Sequence, residues 1–245
     1  MSLDRQVRIT WYGHACFEIV TPGGVVVLVD PWFGNPRSPK AAADVDRCDV
    51  LLVTHGHSDH LGDALEIARR THPAWPQIHE MSLWVNDGRL AGLRAEVIGM
   101  NKGGTVEVKG LRVTMTPAEH SAGNWTGEGD GVPLHLGEPV GFVIELEDGY
   151  RIYHAGDTAV FGDMRLIRDL WAPDLALLPI GGHFTMDPRG AALAVEYLGI
   201  DDVVPTHYGT FPILAGTPEQ LRAELDARGL TGVVIHAPEP GGVVA

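Results

Sequence analysis

The segment Thr54-His55-Gly56-His57-Ser58-Asp59-His60-Leu61-Gly62-Asp63 gathers three histidines and two carboxylates among small residues, directly after the apolar run Leu51-Leu52-Val53. In an extended chain residues i and i+2 point the same way, so His55 and His57 can face one cation, while Asp59 and His60 follow in the turn and can reach another. Imidazoles crowded against carboxylates with no cation to organise them would leave polar groups unsatisfied. The spacing therefore points to a metal site, and to two metals rather than one. The chemistry such a site serves is metal-assisted hydrolysis.

These side chains need elements to hold them. Residues 49–54 read as a buried strand feeding the histidine loop and 63–71 as a helix, with Ala64, Leu65 and Ala68 at helical spacing. Upstream, 7–12, 16–20 and 25–29 read as a three-stranded meander with a turn at Thr21-Pro22-Gly23-Gly24. Downstream come a helix near 82–90 and strands at 96–99, 105–108, 111–116, 140–147, 151–154, 175–179, 202–205 and 233–236. Further helices are expected near 164–170, 190–198 and 218–228. Residues 121–139, rich in Gly, Asn, Asp and Pro, read as a long loop, functional or disordered, with Trp125 as the candidate lid contact. Two strand-rich halves with helices outside each predict two packed sheets between helical layers, in one α/β domain spanning 1–245.

Composition narrows the partners. With 245 residues and 44% hydrophobic content the chain can bury a substantial core. A formal net charge of −14 argues against a general binder of nucleic-acid phosphates, which needs a basic stripe. Only Cys16 and Cys48 occur; a disulfide framework is excluded, a single bridge is not, and a reducing cytoplasm is the expected home. The longest apolar stretch, 25–29, is too short to span a membrane. The expected partner is a small-molecule substrate, with no nucleic acid and no membrane.

A dinuclear site needs more ligands than one loop offers, and the rest must come from other strand ends. Three residues stand there: His120 in Pro117-Ala118-Glu119-His120-Ser121, Asp157 in Tyr153-His154-Ala155-Gly156-Asp157-Thr158, and His207 in Pro205-Thr206-His207-Tyr208-Gly209. The His-x-His-x-Asp-His pattern of residues 55–60 resembles the signature of the metallo-β-lactamase superfamily, which implies a four-layer αββα sandwich. By that resemblance His55, His57 and His120 hold one metal, Asp59, His60 and His207 the other, and Asp157 bridges them. The donors are all oxygen and nitrogen, with no thiolate to favour zinc, so the set suits Zn, Mn, Fe, Co or Ni, zinc being the first expectation. Asp30, ending a strand before Pro31, is a candidate acceptor for the second N–H of a ligand imidazole, or a turn-starting residue.

The segments Trp11-Tyr12-Gly13-His14, Phe161-Gly162-Asp163-Met164, Gly182-His183-Phe184-Thr185-Met186 and His207-Tyr208-Gly209-Thr210-Phe211-Pro212 are together similar to small hydrolases akin to the ascorbate-phosphate lactonase group. That likeness implies hydrolysis of a lactone or other small ester, with the substrate possibly phosphorylated, and a homo-oligomer. Asp59 is expected to orient the attacking hydroxide. His14 and His183 are candidate acids or substrate contacts, with structural hydrogen bonding as the rival reading. The alternatives are a phosphodiesterase on a small cyclic or nucleotide substrate, and a non-catalytic metal-binding protein of the same fold.

Overall fold

The computed structural model describes residues 6–87, 92–124 and 133–244. The first half opens with β1 (Arg8–Trp11), β2 (Phe17–Val20) and β3 (Val26–Val29), an antiparallel meander, and continues with β4 (Val50–Leu52) parallel to β3. A single turn of helix, α1 (Ser58–Leu61), and α2 (Ala64–Thr71) then lead into β5 (Ala74–Ile78). Helix α3 (His79–Asn86) and β6 (Glu96–Met100) complete a six-stranded sheet in simple sequential order.

The second half contains β7 (Thr105–Val108), β8 (Leu111–Pro117) and a small hairpin of β9 (Gly123–Asn124) with β10 (Leu134–His135). It continues through β11 (Val140–Glu145), β12 (Arg151–His154), α4 (Met164–Trp171), β13 (Leu175–Pro179), α5 (Pro188–Leu198), β14 (Asp202–Thr206), α6 (Pro218–Ala227) and β15 (Val234–Ile235). These strands form a seven-stranded sheet in the order β15-β14-β13-β12-β11-β8-β7, parallel from β15 to β12 and antiparallel beyond.

Side chains alternate faces along a strand, and in the second sheet both faces are apolar. Phe142, Ile144, Ile152, Leu177 and Val204 point into a core shared with Ile9, Leu28 and Leu51 of the first sheet. Their neighbours Val143, Tyr153, Ala176, Leu178 and Val203 pack the opposite face against Ile167, Ala191, Val195, Leu221 and Leu225 of α4, α5 and α6. Ile67, Ala68, Met81 and Val85 of α2 and α3 cover the first sheet. The result is an αββα sandwich of the metallo-β-lactamase fold.

Several elements differ from the sequence reading. The short helix α1 stands where a turn was read, and α3 runs His79–Asn86 rather than near 82–90. Strand β5 lies where no element was read, parallel between β4 and β6, although Pro76 at its centre lacks a ladder donor. Within 121–139 the base is the β9–β10 hairpin rather than plain loop, while Trp125 lies outside the described residues. The C-terminal segment returns to the edge of the first sheet, where Gly241 N and Val244 N donate to Trp11 O and Ile9 O. Cys16 and Cys48 are both buried free thiols, so the single bridge left open by the sequence is not made.

Candidate metal centre

Strands β4, β8, β12 and β14 all end on one side of the seam between the sheets, and each is followed by ligating side chains. The turn after β4 carries His55, His57, Asp59 and His60; β8 is followed by His120, β12 by Asp157 and β14 by His207. Gly156 permits this approach: its φ is +64°, and a Cβ there would lie 2.7 Å from Val140 O and 2.9 Å from Thr54 Cβ. Three further residues next to or within the cluster, His14, Asp30 and His207, also adopt left-handed φ without being glycine. Such backbone costs roughly 1–2 kcal/mol per residue, and His72, Lys109, Ala172 and His183, away from the cluster, adopt it as well.

The donors fall into adjoining groups. His55, His57 and His120 form one, and His55 Nε2 lies 2.8 Å from His57 Nδ1. His60, His207, Asp59 and His14 form another. Asp157 stands between them, its Oδ2 3.2 Å from His60 Nε2, 3.0 Å from His207 Nε2 and 3.6 Å from His120 Nε2. All seven sequence-expected ligands are thus brought together. His60 Nε2 and Asp157 Oδ1 are buried and hydrogen-bond to nothing among the described residues. Buried orphans amid converging imidazoles and carboxylates are what a divalent cation satisfies, so the residues present fit the expected metals.

A supporting layer fixes the ligands. Asp30 Oδ2 lies 2.7 Å from His60 Nδ1, which turns Nε2 toward Asp157. Asp30 also accepts from Thr54 N and Thr54 Oγ1, both at 2.8 Å, and Thr54 Oγ1 in turn lies 3.0 Å from His55 Nδ1. Thr54 was not singled out in the sequence. Its signal was available: a ligand imidazole needs a partner for its other nitrogen, and Thr54 adjoins His55.

His14 is fully buried between Thr210 Oγ1, 3.0 Å from Nδ1, and Asp59 Oδ2, 3.1 Å from Nε2. Burial lowers its pKa to about 4, outweighing the Asp59 carboxylate, so the ring is neutral at pH 7 with both nitrogens engaged. Burial likewise lowers the pKa of His55, His57 and His120. For Asp59 burial favours the neutral acid, but the hydrogen bond from His14 and the nearby charge of His60 hold the carboxyl well below its usual range. Burial also opposes a charge on His60, yet Asp157 and Asp30 on either side raise its pKa well above normal. Asp157 is held low by His60 and His207 against the same desolvation.

His183 is not brought to this cluster. It is exposed, packs edge-on against Phe184 with ring centroids 4.5 Å apart, and makes no hydrogen bond, ion pair or ring contact with the seven ligands among the described residues. It lines a cavity of about 420 Å³ with Asp187, Arg189 and Gln220.

Comparison with known proteins shows the family. The family model for the beta-lactamase superfamily domain matches residues 26–208. A metal-dependent hydrolase of the UPF0173 family from Rubrobacter xylanophilus is 47% identical over 235 residues, covering 96% of this chain and 94% of the relative. One from Koribacter versatilis is 44% identical over 236 residues, covering 96% of each. Among solved structures, the metallo hydrolase Igni18 of the archaeon Ignicoccus hospitalis superposes with a TM-score of 0.82 at 37% identity, over 97% of both chains.

Proposed function

Because the chain belongs to the metallo-β-lactamase superfamily and is a metal-dependent hydrolase of it, we propose that it hydrolyses a lactone or other small ester at a dinuclear centre. The observation that carries this reading is Asp157, whose single Oδ2 stands within 3.6 Å of nitrogens from both ligand groups. His55, His57 and His120 would hold one divalent ion and His60, His207 and Asp59 the other, with Asp157 placed to serve both. An all-nitrogen-and-oxygen set suits Zn, Mn, Fe, Co or Ni, and zinc is the first to test. Bound there, the two cations supply Lewis acidity that lowers the pKa of a shared water toward neutrality and draws charge from a carbonyl oxygen.

The chain's own groups supply orientation. Asp59 directs the attacking water, and His14 acts as a positioning residue that keeps Asp59 in one rotamer through the 3.1 Å contact. A neutral, doubly engaged His14 suits that role better than proton donation. The likeness of the segments around His14, Asp163, Met186 and His207 to the ascorbate-phosphate lactonase group favours a carboxylic ester over a phosphodiester.

The test is elemental mass spectrometry on protein purified without chelator or metal-affinity resin, followed by a panel of esters, lactones and phosphodiesters. Two metals per chain, fewer in Asp157→Ala, and metal-dependent turnover of esters or lactones are expected. One metal or none after incubation with each candidate ion, or turnover of phosphodiesters alone, overturns the reading.

A further inference from the structure

Trp32 and Phe211 reach the metal centre from opposite sheets. Trp32 follows β3, in the loop after Asp30; Phe211 lies in the loop after β14, four residues beyond the ligand His207. Their ring centroids are 6.2 Å apart with planes inclined at 34°, and both stand edge-on to His14, at 5.1 and 6.4 Å. His14 touches Asp59 and lies 4.0 Å, ring to ring, from His207. The two rings are therefore one imidazole away from the ligands.

Both are held in place. A Cβ on Gly62 would lie 2.8 Å from Trp32 Cα, so the Trp32 backbone rests directly on the end of the ligand-bearing α1. Phe33 N and Gly34 N donate to Asp63 Oδ2 at 2.7 and 3.2 Å, and Asp63 N donates to Pro31 O, which pins that loop from both sides. In the other loop Thr210 is tied to His14 and Leu214 N donates to Phe211 O at 3.0 Å. Yet Phe211 is 42% exposed, and Ile213 beside it 47%. Scattered apolar side chains on a surface need no explanation, but two aromatic rings fixed together one imidazole from the candidate ligands do.

We propose that Trp32 and Phe211 form the acyl-group subsite of the enzyme, selecting esters or lactones whose acyl portion carries an aromatic or similarly flat apolar group. This rests on the hydrolase reading above and narrows its substrate class. Two fixed rings offer stacking and edge contacts to a third ring, and burying its faces adds apolar area removed from water.

Hydroxamates give a test independent of turnover, since the hydroxamate group chelates divalent metals whatever its substituent. Affinities of acetohydroxamate and phenylacetohydroxamate are measured by calorimetry on the metal-loaded protein and on Trp32→Ala, Phe211→Ala and the helix α4 control Leu170→Ala, each with its metal content determined. Phenylacetohydroxamate is expected to bind about tenfold more tightly than acetohydroxamate. That ratio should collapse toward one in Phe211→Ala and Trp32→Ala at wild-type metal content and persist in Leu170→Ala. Because Phe211 belongs to neither apolar core cluster, its truncation leaves the core intact even if Trp32→Ala disturbs folding. Equal affinities in the wild type, or a ratio unchanged in Phe211→Ala, overturn the subsite alone. Failure of acetohydroxamate to bind, together with fewer than two metals, overturns the hydrolase reading and the subsite with it.

Discussion

Asp30 and Thr210 touch no expected metal ligand atom directly on the side that would face a cation, yet each fixes a residue that matters. Asp30 aligns His60 and Thr54, both buried, and losing its charge would free the His60 ring to turn. Partners of this kind are worth 10 to 100-fold in metal affinity or activity. Asp30→Asn should therefore weaken zinc retention by about that factor in a chelator competition, and retention equal to wild type would remove Asp30 from this role. Thr210→Val leaves His14 Nδ1 buried without its 3.0 Å partner, a loss of about 1–3 kcal/mol in chemical unfolding. Thr210→Ser keeps the hydroxyl and should restore most of it. If Val and Ser behave alike, the hydroxyl is not what holds His14. The ligands themselves were legible because chemistry fixes their types. These partners were less so: Asp30 reads equally as a turn residue before Pro31, and Thr210 lies 196 positions from the histidine it meets.

At the scale of elements, glycines decide how closely two strands' ends can meet. Gly156 combines a left-handed φ of +64° with contacts at 2.7 and 2.9 Å that a methyl group would violate, one of them to backbone. Gly156→Ala should therefore cost more than about 1 kcal/mol in stability. Because the next residue is Asp157, the proposed bridge, the same variant should also lose metal, read by elemental analysis of folded protein. Full metal occupancy in a destabilised Gly156→Ala would show that the turn can relax without moving Asp157. The elements around this turn were readable where the pattern was local: β8, β12, β13 and β14 appear close to their expected bounds, as hydrophobic runs between turn residues. Strand β5 was not, since its Ala-Trp-Pro-Gln-Ile sequence contradicts strand chemistry and is imposed by the parallel neighbours β4 and β6. The β9–β10 hairpin is two residues deep on each side and has no periodicity to detect. The strap from 241–244 onto β1 is likewise set by tertiary contact rather than by local pattern.

Across the whole molecule the alternation of strand-rich halves and outer helices was enough to give two sheets between helical layers, but the electrostatic character of the seam needed the fold. Five histidines there, His14, His55, His57, His120 and His154, have pKa values lowered, in each case chiefly by burial. In metal-stripped protein they take up protons at lower pH than the unfolded chain, which does so below about pH 6.5, so stability falls as pH falls through that point. His60 acts in the opposite sense: its raised pKa contributes stability that is complete below the usual histidine value and is lost as pH rises through its folded value. Asp59 and Asp157, held low, lose their contribution only in stronger acid, below the unfolded carboxylate range of about 4. Between pH 7 and 5 the five outweigh the one, and stripped protein should destabilise by about 1.4 kcal/mol per pH unit for each net proton. Loaded protein adds a second dependence. Its ligands must be deprotonated to hold metal, so protons compete directly with the cation. At 100 times Kd, bound metal stabilises by about 2.7 kcal/mol, and this increment shrinks as acid weakens binding. The melting temperature of loaded protein should therefore exceed that of stripped protein at pH 7.5, the gap closing toward pH 5. A gap that stays constant over that interval would mean that the histidines at the seam do not hold the metal that stabilises the fold.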